Sequence, residues 1–180
     1  MEVVGVSYPT VTLWYEKFRE HIPKEHIDTL LSGPVVADEM FTKDTAILGA
    51  KEKGTRNIML KVLHEKHPHK GHAVDFLTQF VKANSDLFTD GSAIYKGIGN
   101  WHHLTHTYER HAKFEFTLTA EIEGLWGVFR TFMRRMYHHV TVYKLESIVT
   151  EFCLRFRQDA VFESPQSYWR ICLGEKPFAL

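Results

Sequence analysis

Val35-Val36-Ala37-Asp38-Glu39-Met40-Phe41 is a short apolar run broken by two acids. It follows Ser32-Gly33-Pro34, a turn signal and a plausible boundary. The length and composition predict a buried strand with carboxylates near its end. Asp38 therefore differs from an acid on a solvated face, because it interrupts an apolar element.

Downstream of this strand, Lys51-Glu52-Lys53-Gly54-Thr55 reads as a charged turn, and residues 57–63 (NIMLKVL) as another strand. Residues 64–72 are a polar connection containing His64, His67, His69 and His72. With no cysteine partner nearby, this reads as a solvated, partly cationic loop rather than a zinc site. Residues 73–83 are amphipathic, with Val74, Leu77, Phe80 and Val81 on one face. Leu87-Phe88-Thr89-Asp90-Gly91-Ser92 reads as a strand running into a tight turn with Asp90 at its tip. A short helix over 93–101 and a last strand around Leu104-Thr105-His106 follow. Thr117 or Thr119 is expected to cap a long helix to about Val140, with Ile122, Leu125, Trp126, Phe129, Met133, Met136 and Tyr137 as its apolar stripe. Thr141 opens a final helix, and the tail from Glu163 is expected to lie over the surface.

Upstream, Ser7 can cap a helix whose first turn tolerates Pro9, and Val11, Trp14, Tyr15, Phe18 and Ile22 fall at helical spacing. Two readings stand: a short packing helix, or the second half of a helix-turn-helix in which Ser7, Tyr8, Thr10 and Thr12 face DNA. Residues 24–33 predict a second short helical piece.

The 180 residues fit one domain, perhaps with a small appendage, and 44% hydrophobic with 24% charged residues is a globular balance. Lys plus Arg equals Asp plus Glu at 22 each, so any case for a polyanionic partner must rest on a local patch. The two cysteines, Cys153 and Cys172, form no CxxC pattern and read as buried free thiols. No run approaches a membrane span and no signal-peptide pattern opens the chain, so a cytoplasmic protein with no membrane partner is expected.

Three acids stand where a two-metal nuclease would want them: Asp38 on the first core strand, Asp90 at a strand tip, Glu123 near the start of the long helix. Phosphodiester chemistry uses two Mg²⁺ ions about 3.5–4 Å apart. Mg²⁺ is a hard ion that prefers carboxylate oxygens. Such carboxylates repel one another, which raises their pKa values when no metal is bound. Arg130 lies two helical turns beyond Glu123 on the same face, with Gly127 between and Arg134 continuing that side, a surface fit for phosphate. Glu39, Glu121 and Asp86 compete for the same roles, and most acids in any chain are simply solvated.

Three stretches resemble the ISXO-like group of insertion-sequence transposases of the DDE superfamily: Val36-Ala37-Asp38-Glu39-Met40; Thr89-Asp90-Gly91-Ser92-Ala93-Ile94-Tyr95; and Ile122-Glu123-Gly124-Leu125-Trp126-Gly127-Val128-Phe129-Arg130. The last continues with Met136-Tyr137-His138-His139-Val140 and Glu151-Phe152-Cys153-Leu154-Arg155-Phe156, and the resemblance runs from about residue 34 to 157.

It implies an α/β, ribonuclease-H-like mixed sheet flanked by helices, and a DNA transposase that cleaves and transfers strands with Mg²⁺ or Mn²⁺, two ions in all. Asp38, Asp90 and Glu123 would be the metal-binding catalytic acids. Arg130, Arg134 and His106 would contact DNA, joined by Ser7, Tyr8 and Thr10. His106 has a second reading as a core-facing, hydrogen-bonded imidazole. The partners implied are transposon ends and target DNA, with a homo-oligomer assembled on them, acting at the nucleoid of a prokaryotic cytoplasm.

Family members usually begin with a zinc ribbon and a complete helix-turn-helix, so this chain reads as N-terminally truncated. The stretch between Phe41 and Ala73 is short for the family's strand pair, and Ala120-Glu121 replace the Asn that many relatives carry before the "ile-glu". The division expected is a partial helix-turn-helix segment over 1–33, a catalytic domain over 34–162 and a C-terminal tail over 163–180. The alternatives are an inactive remnant that at most binds DNA, and a ribonuclease-H-like nuclease without strand transfer.

Overall fold

The computed structural model describes residues 5–23, 30–108, 118–137 and 140–174. Among these, α1 spans Tyr8–Glu20 and β1 Pro34–Phe41; β2 (Ala46–Glu52) and β3 (Ile58–Val62) follow, then α2 (Lys70–Phe80) and β4 (Asp86–Thr89). A 3₁₀ turn over Ala93–Tyr95 and the short α3 (Gly99–His102) lead to β5 (Thr105–Tyr108). The chain continues as α4 (Ala120–Met136), α5 (Val142–Arg157), α6 (Asp159–Glu163) and α7 (Pro165–Cys172). Most of the second helical piece expected at 24–33 lies outside the described residues, as do Thr117 and the His138-His139 pair.

The five strands form one mixed sheet in the order β3-β2-β1-β4-β5. β1, β2 and β3 pair antiparallel, and β1–β4 and β4–β5 pair parallel. The stretch between Phe41 and Ala73, expected to be short for a strand pair, holds both β2 and β3. β2 was missed because Ala46-Ile47-Leu48-Gly49-Ala50 is apolar without alternation and its last two residues read as a charged turn. A strand covered on both faces carries just such a continuous apolar run.

Alternation along β1 sends side chains to opposite faces. Val35 and Ala37 join a core with Leu48, Ala50, Leu87, Phe76 and Leu77 of α2, and Tyr95. Val36 and Met40 join the other core, with Ile122, Leu125, Trp126 and Phe129 of α4 and Ile148 and Phe152 of α5. The apolar stripe predicted for α4 holds over Ile122, Leu125, Trp126 and Phe129, but Phe132 is buried in the stripe and Met136 is exposed. Ser7 caps α1 by accepting the Thr10 N–H, as its position suggested.

Gly49 on β2 sits directly under the α4 indole. A Cβ built there would meet Trp126 Cη2 at 2.5 Å. The absence of a side chain is what lets α4 approach the sheet closely at this point.

The C-terminal stretch differs from expectation. It is no surface tail over Pro165–Cys172, where α7 buries Tyr168, Ile171 and Cys172 against Phe18 of α1 and Leu154 of α5. A buried polar knot ties these helices together. Glu151, fully buried, accepts from Arg155 Nε at 2.8 Å through Oε1 and from Tyr137 Oη at 2.8 Å and Arg19 Nη1 at 3.4 Å through Oε2. The Glu151…Arg155 portion of the family-like motif is thus structural. α1 packs on α5 and α7 through Arg19 and Phe18, which supports the packing-helix reading of residues 8–20.

Two stability outcomes follow. Gly49→Ala should destabilise by about 1–3 kcal/mol through overpacking, read as a lower urea midpoint; an unchanged midpoint would show that Trp126 moves aside freely. Glu151→Ala should cost about 3–5 kcal/mol, because two buried guanidinium groups lose their counterion. A loss below 1 kcal/mol in chemical denaturation would contradict the role given to this knot.

Candidate metal centre

β1 and β4 run parallel with Ala37 opposite Thr89, and there β4 ends. Asp38 and Asp90 are the next residues on the two chains, so both acids reach the same edge of the sheet where pairing stops. Asp38, Glu39 and Asp90 each present a carboxylate oxygen, and these atoms all lie within 4.8 Å of one another. Glu123 is not a member of this close group. It stands exposed in the first turn of α4, accepting the Thr119 hydroxyl at 3.3 Å, and its charge acts on Asp38. Glu121 is directed elsewhere: it pairs with Lys51 and accepts the Gly54 N–H at 3.1 Å. Of the two acids in that turn, Glu123 is the one whose charge acts on Asp38.

Each acid has a holder. The Trp126 indole Nε1–H donates to Asp38 Oδ2 at 2.9 Å. The Ser92 N–H donates to Asp90 Oδ1 at 3.0 Å, and the Ser92 hydroxyl donates to Glu39 Oε1 at 2.9 Å. The fully buried Tyr95 also acts on the Glu39 carboxylate. These holders come from elements already fixed by the core, so the site is built on rigid parts.

Electrostatics follow the geometry. Burial raises the Asp38 pKa, helped by the charges of Asp90 and Glu123 and opposed by the Glu39 N–H and the Trp126 indole. Burial pushes Glu39 up to about 7, again with Asp90 and Asp38 adding repulsion and Ser92 opposing. Burial also works to raise Glu121, but the Lys51 contact and the Gly54 N–H bring it below the usual range. Clustered carboxylates that raise one another's pKa form a site that favours a cation. The donor set is all oxygen, which suits Mg²⁺ or Mn²⁺ rather than a soft metal. One buried oxygen, Glu39 Oε2, has no hydrogen-bond partner, as a coordination position would leave it.

The other predicted residues fall in two places. Arg130 and Arg134 are exposed on α4 and line a depression of about 410 Å³ with Met40, Phe41 and Thr42, immediately past the acids on β1. His106 on β5 is half-buried, meets Thr89 Oγ1 at 2.9 Å and has its pKa lowered by burial. The bond to Thr89, the residue before Asp90, is in keeping with the hydrogen-bonded second reading. Ser7, Tyr8 and Thr10 lie on or beside α1, which the Phe18 and Arg19 contacts fix to α5 and α7, and none belongs to the acidic group. Glu65, His69 and His72 also gather within 4.8 Å. Yet His69 Nδ1 accepts the Gly71 N–H and His72 Nδ1 accepts the His69 N–H, so both rings serve as caps of α2, each carrying its proton on Nε2.

Of the three acids expected, Asp38 and Asp90 share the close group and Glu123 does not, while Glu39, expected only as a competitor, joins it, and Trp126, expected as core, donates to Asp38. The signal for Glu39 was its place beside Asp38 in an apolar strand. Nothing in the sequence marked Trp126 as a donor.

Residues 30–158 match the family model of the ISXO2-like transposase domain. Among solved structures, a chain from the simian T-cell lymphotropic virus intasome, determined by cryo-EM in complex with PP2A regulatory subunit B56 gamma, aligns with a TM-score of 0.50 and 12% identity. The alignment covers 70% of this chain and 48% of that one, so the present chain spans about half the length of its neighbour. The likeness is one of fold, and with the 3-2-1-4-5 sheet it identifies the α/β, ribonuclease-H-like class expected. No curated protein matches the chain.

The raised Glu39 pKa has a definite sign. A carboxyl at about 7 in the fold against an ordinary 4.5 contributes stability that is full below 4.5 and lost as pH rises through about 7. In chelator-treated protein the melting temperature of the wild type should therefore fall between pH 5 and pH 8 more steeply than that of Glu39→Gln. Parallel profiles for the two proteins would show that Glu39 titrates normally.

Proposed function

Because the chain belongs to the ISXO2-like transposase domain family, we propose that it cleaves DNA at transposon ends and joins the freed strand to target DNA, using divalent metal held by Asp38, Asp90 and Glu123. The observation that carries this reading is the meeting of Asp38, Glu39 and Asp90 oxygens within 4.8 Å at the open end of the β1–β4 pair, with Glu123 acting on Asp38 from the first turn of α4. A family of nucleic-acid-cleaving enzymes supplies the reaction class; the site supplies the residues.

When bound, Mg²⁺ or Mn²⁺ would supply charge neutralisation and activation of the attacking and leaving oxygens. The rest is the work of the chain. Trp126 holds Asp38 in one orientation and Ser92 holds Asp90, so neither carboxylate must reorganise when substrate arrives. Arg130 and Arg134, further along the face of α4 that begins with Glu123, would take the phosphates flanking the scissile bond. His106 steadies the Asp90 strand through Thr89, and on this reading it would meet DNA beside that strand. Ser7, Tyr8 and Thr10 are exposed or partly exposed at the start of α1 and would make contacts remote from the chemistry. On this reading residues 34–162 are the catalytic unit, 1–33 a DNA-contacting segment, and pairing of two transposon ends brings two or more copies together. Among the described residues no helix is long and apolar enough to cross a membrane.

A nuclease that cuts without joining would use the same acids, and an assay that scores both steps separates the two. With a labelled duplex and Mn²⁺ or Mg²⁺, Asp38→Asn, Asp90→Asn and Glu123→Gln should each lower cleavage by at least about 100-fold while gel-shift binding persists. Glu121→Gln should cut at the wild-type rate, since that side chain is committed to Lys51 and Gly54. Equal cleavage by Asp90→Asn and wild type would overturn the reading.

A further inference from the structure

Successive residues of a strand project to opposite sides of a sheet. Asp38 accordingly turns towards Trp126 of α4, and Glu39 turns towards Ser92 and Tyr95 on the other side. Two neighbouring acids so placed would ordinarily be kept apart by the next strand. Here the next strand stops at Thr89, opposite Ala37, and among the described residues no ladder partner continues it beside residues 38 and 39. The two carboxylates accordingly share one group with Asp90 despite their opposite facing.

Ser92 bears on both acids of the loop edge. Its N–H donates to Asp90 Oδ1 and its hydroxyl to Glu39 Oε1. Glu39 is thereby fixed through one oxygen. Its other oxygen, Oε2, is buried with no donor in hydrogen-bond geometry, while the Tyr95 hydroxyl also favours the Glu39 carboxylate.

The same molecule shows what a purely structural buried glutamate looks like. Glu151 has donors on both oxygens, three side chains in all. A buried acceptor without a donor is costly, and folds that bury an acid for architecture satisfy it. Glu39 has a donor, Ser92, on Oε1 alone.

We infer that Glu39 is a fourth carboxylate ligand of the metal centre, coordinating through Oε2 beside Asp38 and Asp90, with Ser92 as the residue that aims it. The inference rests on the metal-dependent reading of the preceding section. It assigns Glu39 to the close group and leaves Glu123 to approach from α4. It also gives the Asp-Glu pair on β1 a joint purpose.

The test is Mn²⁺ binding to the full chain, by calorimetry or by loss of the free-ion electron paramagnetic signal. Glu39→Gln keeps the size of the side chain and an oxygen for Ser92 but loses the charge. Its Mn²⁺ affinity should fall roughly 10–100-fold with the urea midpoint not lowered. Ser92→Ala leaves the carboxylate in place but unaimed, and should lose affinity several-fold; it keeps the question decidable if Glu39→Gln fails to fold. Wild-type affinity in both variants, with Asp90→Asn defective, overturns the role of Glu39 and leaves the metal centre standing. Failure of the wild type itself to bind Mn²⁺, or full binding by Asp90→Asn, overturns the parent reading and this one with it.

Discussion

The end of β4 at Thr89 is the constraint on which the rest of this molecule turns. Parallel pairing with β1 carries the two chains in step as far as Ala37 and Thr89, then releases them. Up to that point Val35, Val36, Ala37 and Leu87 belong to one or other of two cores. Beyond it β1 keeps its ladder with β2 but not with β4, and the acids Asp38, Glu39 and Asp90 gather there. The position is the carboxyl end of adjacent parallel strands, where open α/β sheets commonly place their chemistry. A strand one residue longer would have put a ladder partner beside Asp38 and kept Glu39 on its own side of the sheet.

Much of this was legible in the sequence because it is written in patterns with a simple physical origin. An apolar run punctured by acids is hard to explain except at a strand end, and Asp90-Gly91 at the tip of a second run says the same. The long α4 is evident from its stripe, and its first turn of acids and last turn of arginines suit the helix dipole. What escaped was set by tertiary contact. β2 lacks alternation because both its faces are covered. Pro165–Cys172 reads as a tail because its buried face consists of only Tyr168, Ile171 and Cys172. The engagement of Glu121 was invisible in one dimension, because its partners Lys51 and Gly54 lie seventy and sixty-seven positions away.

The family-like motif around Glu151 is a lesson in separating recurrence from catalysis. Glu151 and Arg155 lie in a stretch as distinctive as that around Glu123, yet they hold α1, α5 and α7 together. Burying charges in this way gains little net stability over an apolar cluster. What it supplies is direction: the Arg19 guanidinium must find Glu151 and Tyr137, which fixes the seat of α1 on α5. Of the two acids in the same family signature, Glu151 is thus committed to packing, while Glu123 stands exposed at the start of α4.

The indole that holds Asp38 gives the protein a built-in optical gauge. Of the four tryptophans, Trp14, Trp101 and Trp169 are 53%, 66% and 39% exposed, whereas Trp126 is 3% exposed. A collisional quencher such as iodide would darken the three outer rings and spare the inner one. The surviving emission would come from the ring whose N–H touches Asp38, so its colour and intensity would follow the charge placed there. Binding at the acids could be watched in unlabelled protein, through light from a residue that the core put beside Asp38.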